Sequence, residues 1–149
     1  MINFLEFTVD KFTFKIADDR YYSSEGLWAK PEENLIRIGL SDFLQQRSGD
    51  VAFADIRPEG TELAAGDEIA TIETIKVNIS LSTPLKCRVV ETNPAMEISP
   101  ETINQDPYGA GWLAVIQAAN WEEDKAGLME PQSYFAAIKG QAEEEAGKS

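Results

Sequence analysis

The stretch Ile69 to Ser82, IATIETIKVNISLS, constrains the fold more than any other part of the chain. From Ile75 onward the apolar residues Ile75, Val77, Ile79 and Leu81 alternate with Lys76, Asn78, Ser80 and Ser82, the period of two that marks a half-buried strand. Before it, Ala70 and Ile72 put apolar side chains on the opposite parity. A continuous strand cannot carry that flip without turning its apolar set toward water, so a turn or bulge is required at Glu73-Thr74. The pattern predicts a hairpin with Lys76 at or beside its tip and pointing away from the core, and it places Ile75 and Val77 inward.

The rest of the chain reads mainly as strands. Phe7, Val9, Phe12, Phe14 and Ile16 predict one or two strands before the turn-like Ala17-Asp18-Asp19-Arg20, an extension that would add an edge strand. YYSSEGLWAK and LIRIGL flank the turn signal Pro31-Glu32-Glu33-Asn34. Ser41 reads as the N-cap of a short helix over Asp42 to Gln46, with Gly49 beyond its end. Val51 to Ile56 and Cys87 to Val90 resume strands, Pro94 to Ile103 holds short helical signals, and Gly111 to Ile116 is a buried strand. Pro131 opens a helix whose Tyr134, Phe135 and Ile138 share a face, with Gly140 as its end and 141–149 as a disordered acidic tail. The fold class expected is mainly β, a compact sandwich or flattened barrel with short helices and a C-terminal helix.

With 149 residues, 43% of them hydrophobic, one domain with one core is expected. The balance of 13 basic against 26 acidic residues, net −13, argues against nucleic acid as a partner and for docking onto basic rims of other proteins. No basic region followed by an apolar run opens the chain, and no stretch is long enough to cross a membrane, so a cytoplasmic location is expected. The lone Cys87 suits a reducing compartment and reads as packing. Without histidine, the usual zinc and haem sites and histidine-based acid–base catalysis have no ligands or base, so neither a metal site nor an enzyme is expected.

Glu73-Thr74-Ile75-Lys76 resembles the lipoylation site of glycine cleavage system H proteins, whose motif reads Glu-Ser/Thr-Val/Ile-Lys. The likeness runs from about Tyr22 to Ile138 through Trp28, Gly39, Asp42, Gln45, Gly49-Asp50, Gly60-Thr61, Ala65-Gly66-Asp67, Pro84, Asn93, Asn104, Asp106-Pro107-Tyr108-Gly109 and Gly111-Trp112. Biotin carriers instead flank the lysine with methionine, where Ile75 and Val77 stand here. The resemblance implies a barrel-sandwich hybrid, a lipoyl group amide-linked to Lys76, Glu73 in the signal read by a lipoyl-attaching enzyme, and a carrier serving partner redox or transferase enzymes. It divides the chain into an extension (1–20), a carrier domain (21–140) and the tail.

The family shelters a cationic aminomethyl arm in a cleft lined with carboxylates and a histidine. Here the His-Glu-Trp stretch reads Gly26-Leu27-Trp28, the helix histidine position is Arg47, and the acidic position four past the lysine is Ser80, with Glu25 as a neighbouring substitute. On charge alone, Leu27, Arg47 and Ser80, with Lys86 or Arg88 nearby, suit an anionic sulfur cargo. The chain thereby resembles the divergent H-like lipoate-binding proteins of heterodisulfide-reductase-like sulfur oxidation. The alternative is an authentic H protein carrying the aminomethyl group in glycine cleavage.

Overall fold

Alternating apolar residues build two antiparallel sheets and a separate hairpin in the computed structural model, which describes residues 2–147. The chain runs β1 (Phe4–Val9), β2 (Phe12–Ala17), β3 (Tyr21–Tyr22), β4 (Leu27–Glu32), β5 (Leu35–Leu40), α1 (Asp42–Ser48), β6 (Val51–Ile56), β7 (Glu62–Leu63), β8 (Glu68–Thr74), β9 (Asn78–Ser82) and β10 (Cys87–Thr92). It continues through α2 (Ala95–Ile98), α3 (Thr102–Gln105), β11 (Ala114–Ala118), α4 (Trp121–Asp124), a 3-10 turn (Lys125–Gly127) and α5 (Pro131–Gly147). A six-stranded sheet, ordered β3-β4-β5-β11-β10-β7, faces a three-stranded sheet, β6-β8-β9. This is the mainly β sandwich that the alternation predicts. No helix among the described residues is long and apolar enough to cross a membrane.

The main core contains Leu27, Ala29, Ile36 and Ile38 of the large sheet with Ile69, Ile72 and Leu81 of the small one. Cys87 packs there as well, and burial pushes its thiol up from the ordinary value, so it is a poor nucleophile. On the other side of β4, Trp28 enters a second cluster with Phe7, Phe14, Phe43, Tyr108, Tyr134 and Ile138. Its indole lies against Gly39, its cross-strand partner, where any Cβ would come within 2.5 Å of the ring. The indole N–H donates to Pro107 O, and the guanidinium of Arg20 stacks over the ring at 4.5 Å. Arg20, read as a turn residue, is therefore buried, with Asp19 as its ion-pair partner and Tyr108 O as an acceptor.

Three expectations are corrected. The N-terminal extension is not an edge strand: β1 and β2 pair only with each other, from Phe4↔Ala17 to Val9↔Phe12. Phe7 packs edge-on against Phe135 of α5 and Phe14 against Phe43 of α1, so its apolar face is satisfied by helices. Gly140 does not end α5, and the segment 141–147 is helical rather than a disordered tail, while 148–149 lie outside the described residues. Burial of Ala142 and an ion pair from Glu145 to Arg47 supply the tertiary support that a short polar helix end lacks by itself. Ile75 and Val77 are not inward but 75% and 47% exposed, because the parity flip is absorbed by a loop rather than a bulge.

Candidate functional site

The β8–β9 hairpin closes through Glu73↔Asn78, leaving Thr74 to Val77 as its turn. Thr74 N–H donates to Val77 O at 2.8 Å. The Thr74 hydroxyl accepts from the N–H groups of Lys76 and Val77, and its proton is shared between Ser48 O at 2.8 Å and Val77 O at 2.9 Å. Ile75 N–H donates to Asp50 O, tying the turn to the α1–β6 connection. That connection is itself stapled by Asn104, whose amide donates to Gln45 Oε1 and Gly49 O and accepts from Val51 N–H. The tip is thus held by directional bonds at several points, which fixes where a side chain on it starts.

Lys76 is exposed, as expected, and its stem lies over Gly49. Gly49 has a φ of +91°, and a Cβ there would sit 3.0 Å from Lys76 Cδ, so both backbone and contact favour glycine. Lys76 Nζ donates to Arg47 O at 3.3 Å, one of the unpaired carbonyls at the end of α1. Glu73 is exposed beside the tip, opposite Phe53 across the β6–β8 pair, and its carboxylate has no hydrogen bond or ion pair among the described residues.

Of the four residues expected to line one cleft, the structure brings Glu25 and Ser80 to β9 and sets Leu27 and Arg47 elsewhere. Leu27 is a core residue, 1% exposed, because its position on β4 faces the small sheet. Arg47 points outward, bonded to Glu145 at 2.7 Å and lying over the Phe43 ring, so its charge is balanced rather than available. Ser80 donates to the Glu68 carboxylate at 2.5 Å, and this hydroxyl, followed by that of Thr71, holds Glu68 below the usual value. Glu25 accepts from Ser82 N–H at 3.0 Å, reaching the same strand two residues on. Lys86 and Arg88 line other hollows, beside Gln117. Carboxylates therefore flank β9, supplied by Glu25 and by Glu68, the latter ion-paired to Arg57 at 3.5 Å, and the cation at position 47 on which the anionic-cargo expectation rests is paired with Glu145.

Sequence reasoning names Thr74, Asp50 and Asn104 only as positions of the family pattern and misses the bonds by which they hold the turn, which reach Ser48 O, Ile75 N–H and Gly49 O. It also missed a groove of about 470 Å³ that has Lys76 on its wall together with Phe12, Phe14, Phe43 and Ala142. Alternation marks the two β2 phenylalanines as strand residues but says nothing about their coming to face Lys76.

The sequence model of the family described as Glycine cleavage H-protein matches residues 20–141. A glycine cleavage system H protein of Bacteroides fragilis is 39% identical over 117 residues, covering 78% of this chain and 92% of that protein. The glycine cleavage system H protein 4 of Aquifex aeolicus is 36% identical over 140 residues, covering 94% and 80%. Among solved structures, a glycine cleavage system H protein from Mycobacterium marinum superposes with a TM-score of 0.73 at 29% identity, covering 83% of this chain and 98% of that one.

Proposed function

The chain belongs to the glycine cleavage H-protein family, whose members carry lipoate covalently on a lysine, and from that premise we propose that Lys76 is the attachment site and glycine cleavage the pathway served. The observation that carries the reading is the Lys76 turn: an exposed amine on a tip pinned by Thr74, Asp50 and Asn104, with a solvent-facing carboxylate three residues earlier. The residues present fit the group. An amide on Nζ keeps one N–H, so the contact with Arg47 O survives acylation. The lipoyl group, when bound, supplies a disulfide that opens to accept a cargo and closes again.

The chain's own part is to present the lysine, to register the enzymes that load it and to balance the charge of what it bears. Glu73 serves the first docking event, with the lipoyl-attaching enzyme, as a fixed anion for a cationic rim. Glu25, whose carboxylate meets β9 at Ser82, favours a cationic cargo, the aminomethyl group, over an anionic sulfur species. The protein acts as a carrier in the cytoplasm, and catalysis belongs to its partner enzymes, whose docking surfaces are basic to match a net charge of −13.

Intact-mass measurement of protein from cells competent in lipoate metabolism should show one lipoyl increment, lost in Lys76→Arg. Glu73→Ala should slow its attachment to folded protein. Supplied with the other glycine cleavage enzymes, lipoylated wild type should support glycine decarboxylation, and Glu25→Gln should weaken it by about tenfold, the worth of one charge-assisted contact of ~1.5 kcal/mol. An unmodified wild type sinks the lysine assignment. A lipoylated protein that is inert in this assay sinks the cargo and returns the sulfur reading.

A further inference from the structure

We propose that the free edge of β1 is a docking strand: an extended segment of a partner protein, bearing a lysine or arginine between β-branched residues, adds beside β1 as the third strand of its sheet. The edge is present whether or not Lys76 is acylated. The hairpin precedes residue 20, where the match to the family model begins, and the Aquifex aeolicus relative, aligned over 94% of this chain, reaches into it.

The hairpin register shows which main-chain groups are left over. The two-residue turn Asp10-Lys11 makes Val9 and Phe12 a mutually bonded pair, and bonded pairs recur at Phe7 with Phe14 and Leu5 with Ile16. The groups of the intervening residues point outward. On β2 these are taken: Gln46 Nε2 donates to Thr13 O, Lys15 N–H to Asp42 Oδ2, and the Tyr108 and Tyr22 hydroxyls to Lys15 O and Ala17 O. On β1 the corresponding groups of Glu6 and Thr8 meet no partner among the described residues. α5 packs on the Phe7 face and leaves both residues exposed. The strand FLEFTV also lacks the devices that blunt an edge, for it holds no proline and no lysine, and its register with β2 has no bulge. An edge of this kind accepts another strand through its main chain.

Charge decides the occupant. Glu6 stands in the middle of the edge, and its carboxylate has no hydrogen bond or ion pair among the described residues, although Lys15 is its cross-strand neighbour. A second copy brings the same carboxylate and the same net charge of −13. A segment with a cation facing Glu6 and β-branched residues facing Phe4 and Thr8 is complementary instead, and Phe4, 41% exposed, offers it apolar contact. Val9 and Asp10, where β1 ends, line the same groove as Lys76, so a partner held on β1 has a raised local concentration at the lysine.

The test uses the full chain and a short acetylated peptide alternating valine with lysine, followed by amide hydrogen exchange in NMR spectra. In the free protein the Glu6 and Thr8 amides should exchange faster than that of Phe7. Saturating peptide should slow them by about tenfold, the ratio for groups bonded about nine-tenths of the time. Thr8→Pro deletes an outward N–H that the hairpin does not use, so it should leave thermal stability nearly unchanged and weaken binding by about tenfold. Glu6→Gln keeps the main-chain edge and should weaken binding by about threefold, the worth of an exposed ion pair. A peptide of the same charge with proline in place of valine cannot pair and should bind about tenfold more weakly. Peptide binding that leaves the Glu6 and Thr8 amides unprotected is charge attraction alone and overturns the proposal, as does an absence of binding at millimolar peptide. Protection of the two amides that grows with protein concentration, with a dimer in sedimentation, assigns the edge to a second copy and overturns it too.

Discussion

The molecule presents two hairpins at the same groove, and they are held by different forces. The β8–β9 tip is fixed by polar contacts: the Thr74 hydroxyl bonds to Lys76 and Val77 N–H, and the Ile75 amide bonds to Asp50 O. The apolar residues of that turn, Ile75 and Val77, face water. The β1–β2 hairpin is the reverse case, for Phe7 and Phe14 are buried against α5 and α1. Hydrogen bonds supplement that packing, among them Lys15 N–H to Asp42 Oδ2, Gln46 Nε2 to Thr13 O and Tyr108 hydroxyl to Lys15 O. Directional bonds set the position of a tip and add little stability, whereas apolar burial adds stability and tolerates small shifts. The exposed Lys76 stands on the first kind of support, and the aromatic face of β2 on the second.

The largest effect should come from breaking the apolar hairpin. Phe14→Ala removes a side chain that touches Phe7, Phe12 and Phe43 and should cost about 3–4 kcal/mol in urea denaturation. Lipoylation of the variant, assayed while it is still folded, should stay within about twofold of wild type. A modification rate that collapses together with stability would show that the two hairpins are not supported independently.

A smaller effect is expected from Thr74→Val, which keeps the shape and deletes the hydroxyl that organises the turn. The stability cost should be about 1–2 kcal/mol, the worth of one or two hydrogen bonds in an exposed loop. Hydrogen exchange at the Lys76 and Val77 amides should accelerate while β1 and β2 stay protected, and lipoylation should slow. Unchanged exchange at the tip would remove Thr74 as its organiser.

The smallest effect sharpens the polar side through pH. Glu68 titrates below its ordinary value of 4.5 because the Ser80 hydroxyl, then that of Thr71, bonds its carboxylate. A depressed folded-state value means that its contribution is present above the unfolded value and fades as pH falls through the folded one. Ser80→Ala should move the Glu68 titration upward toward 4.5 in a carboxyl NMR experiment and flatten stability against pH in that acidic window. The β1–β2 packing should show no comparable dependence, and a Glu68 titration that stays put would discard the Ser80 contact.

Much of the fold was legible because period-two alternation and turn chemistry are local. The Ser41 cap appears as read, with its hydroxyl accepting from Leu44 N–H, and Gly49 follows α1 with a positive φ. The errors fall where distant contacts overrule local signals. Gly140 looks like a helix end, yet α5 continues because Ala142 finds a buried site and Glu145 finds Arg47. Leu27 was placed in a cleft by analogy of position, but on β4 the alternation sends it into the core.

The sequence by itself determined the strands, the short capped helix and the motif Glu73 to Lys76, because each depends on residues within one turn or one strand of each other. Only the tertiary structure decided what surrounds the lysine: Gly49 beneath its stem, Arg47 O at its amine, and the β2 phenylalanines across the groove. Those neighbours come from segments up to 64 residues away, Phe12 across from Lys76 being the extreme. Charge and packing act through space, and a side chain's electrostatic surroundings are set by which distant segments the core's packing brings beside it.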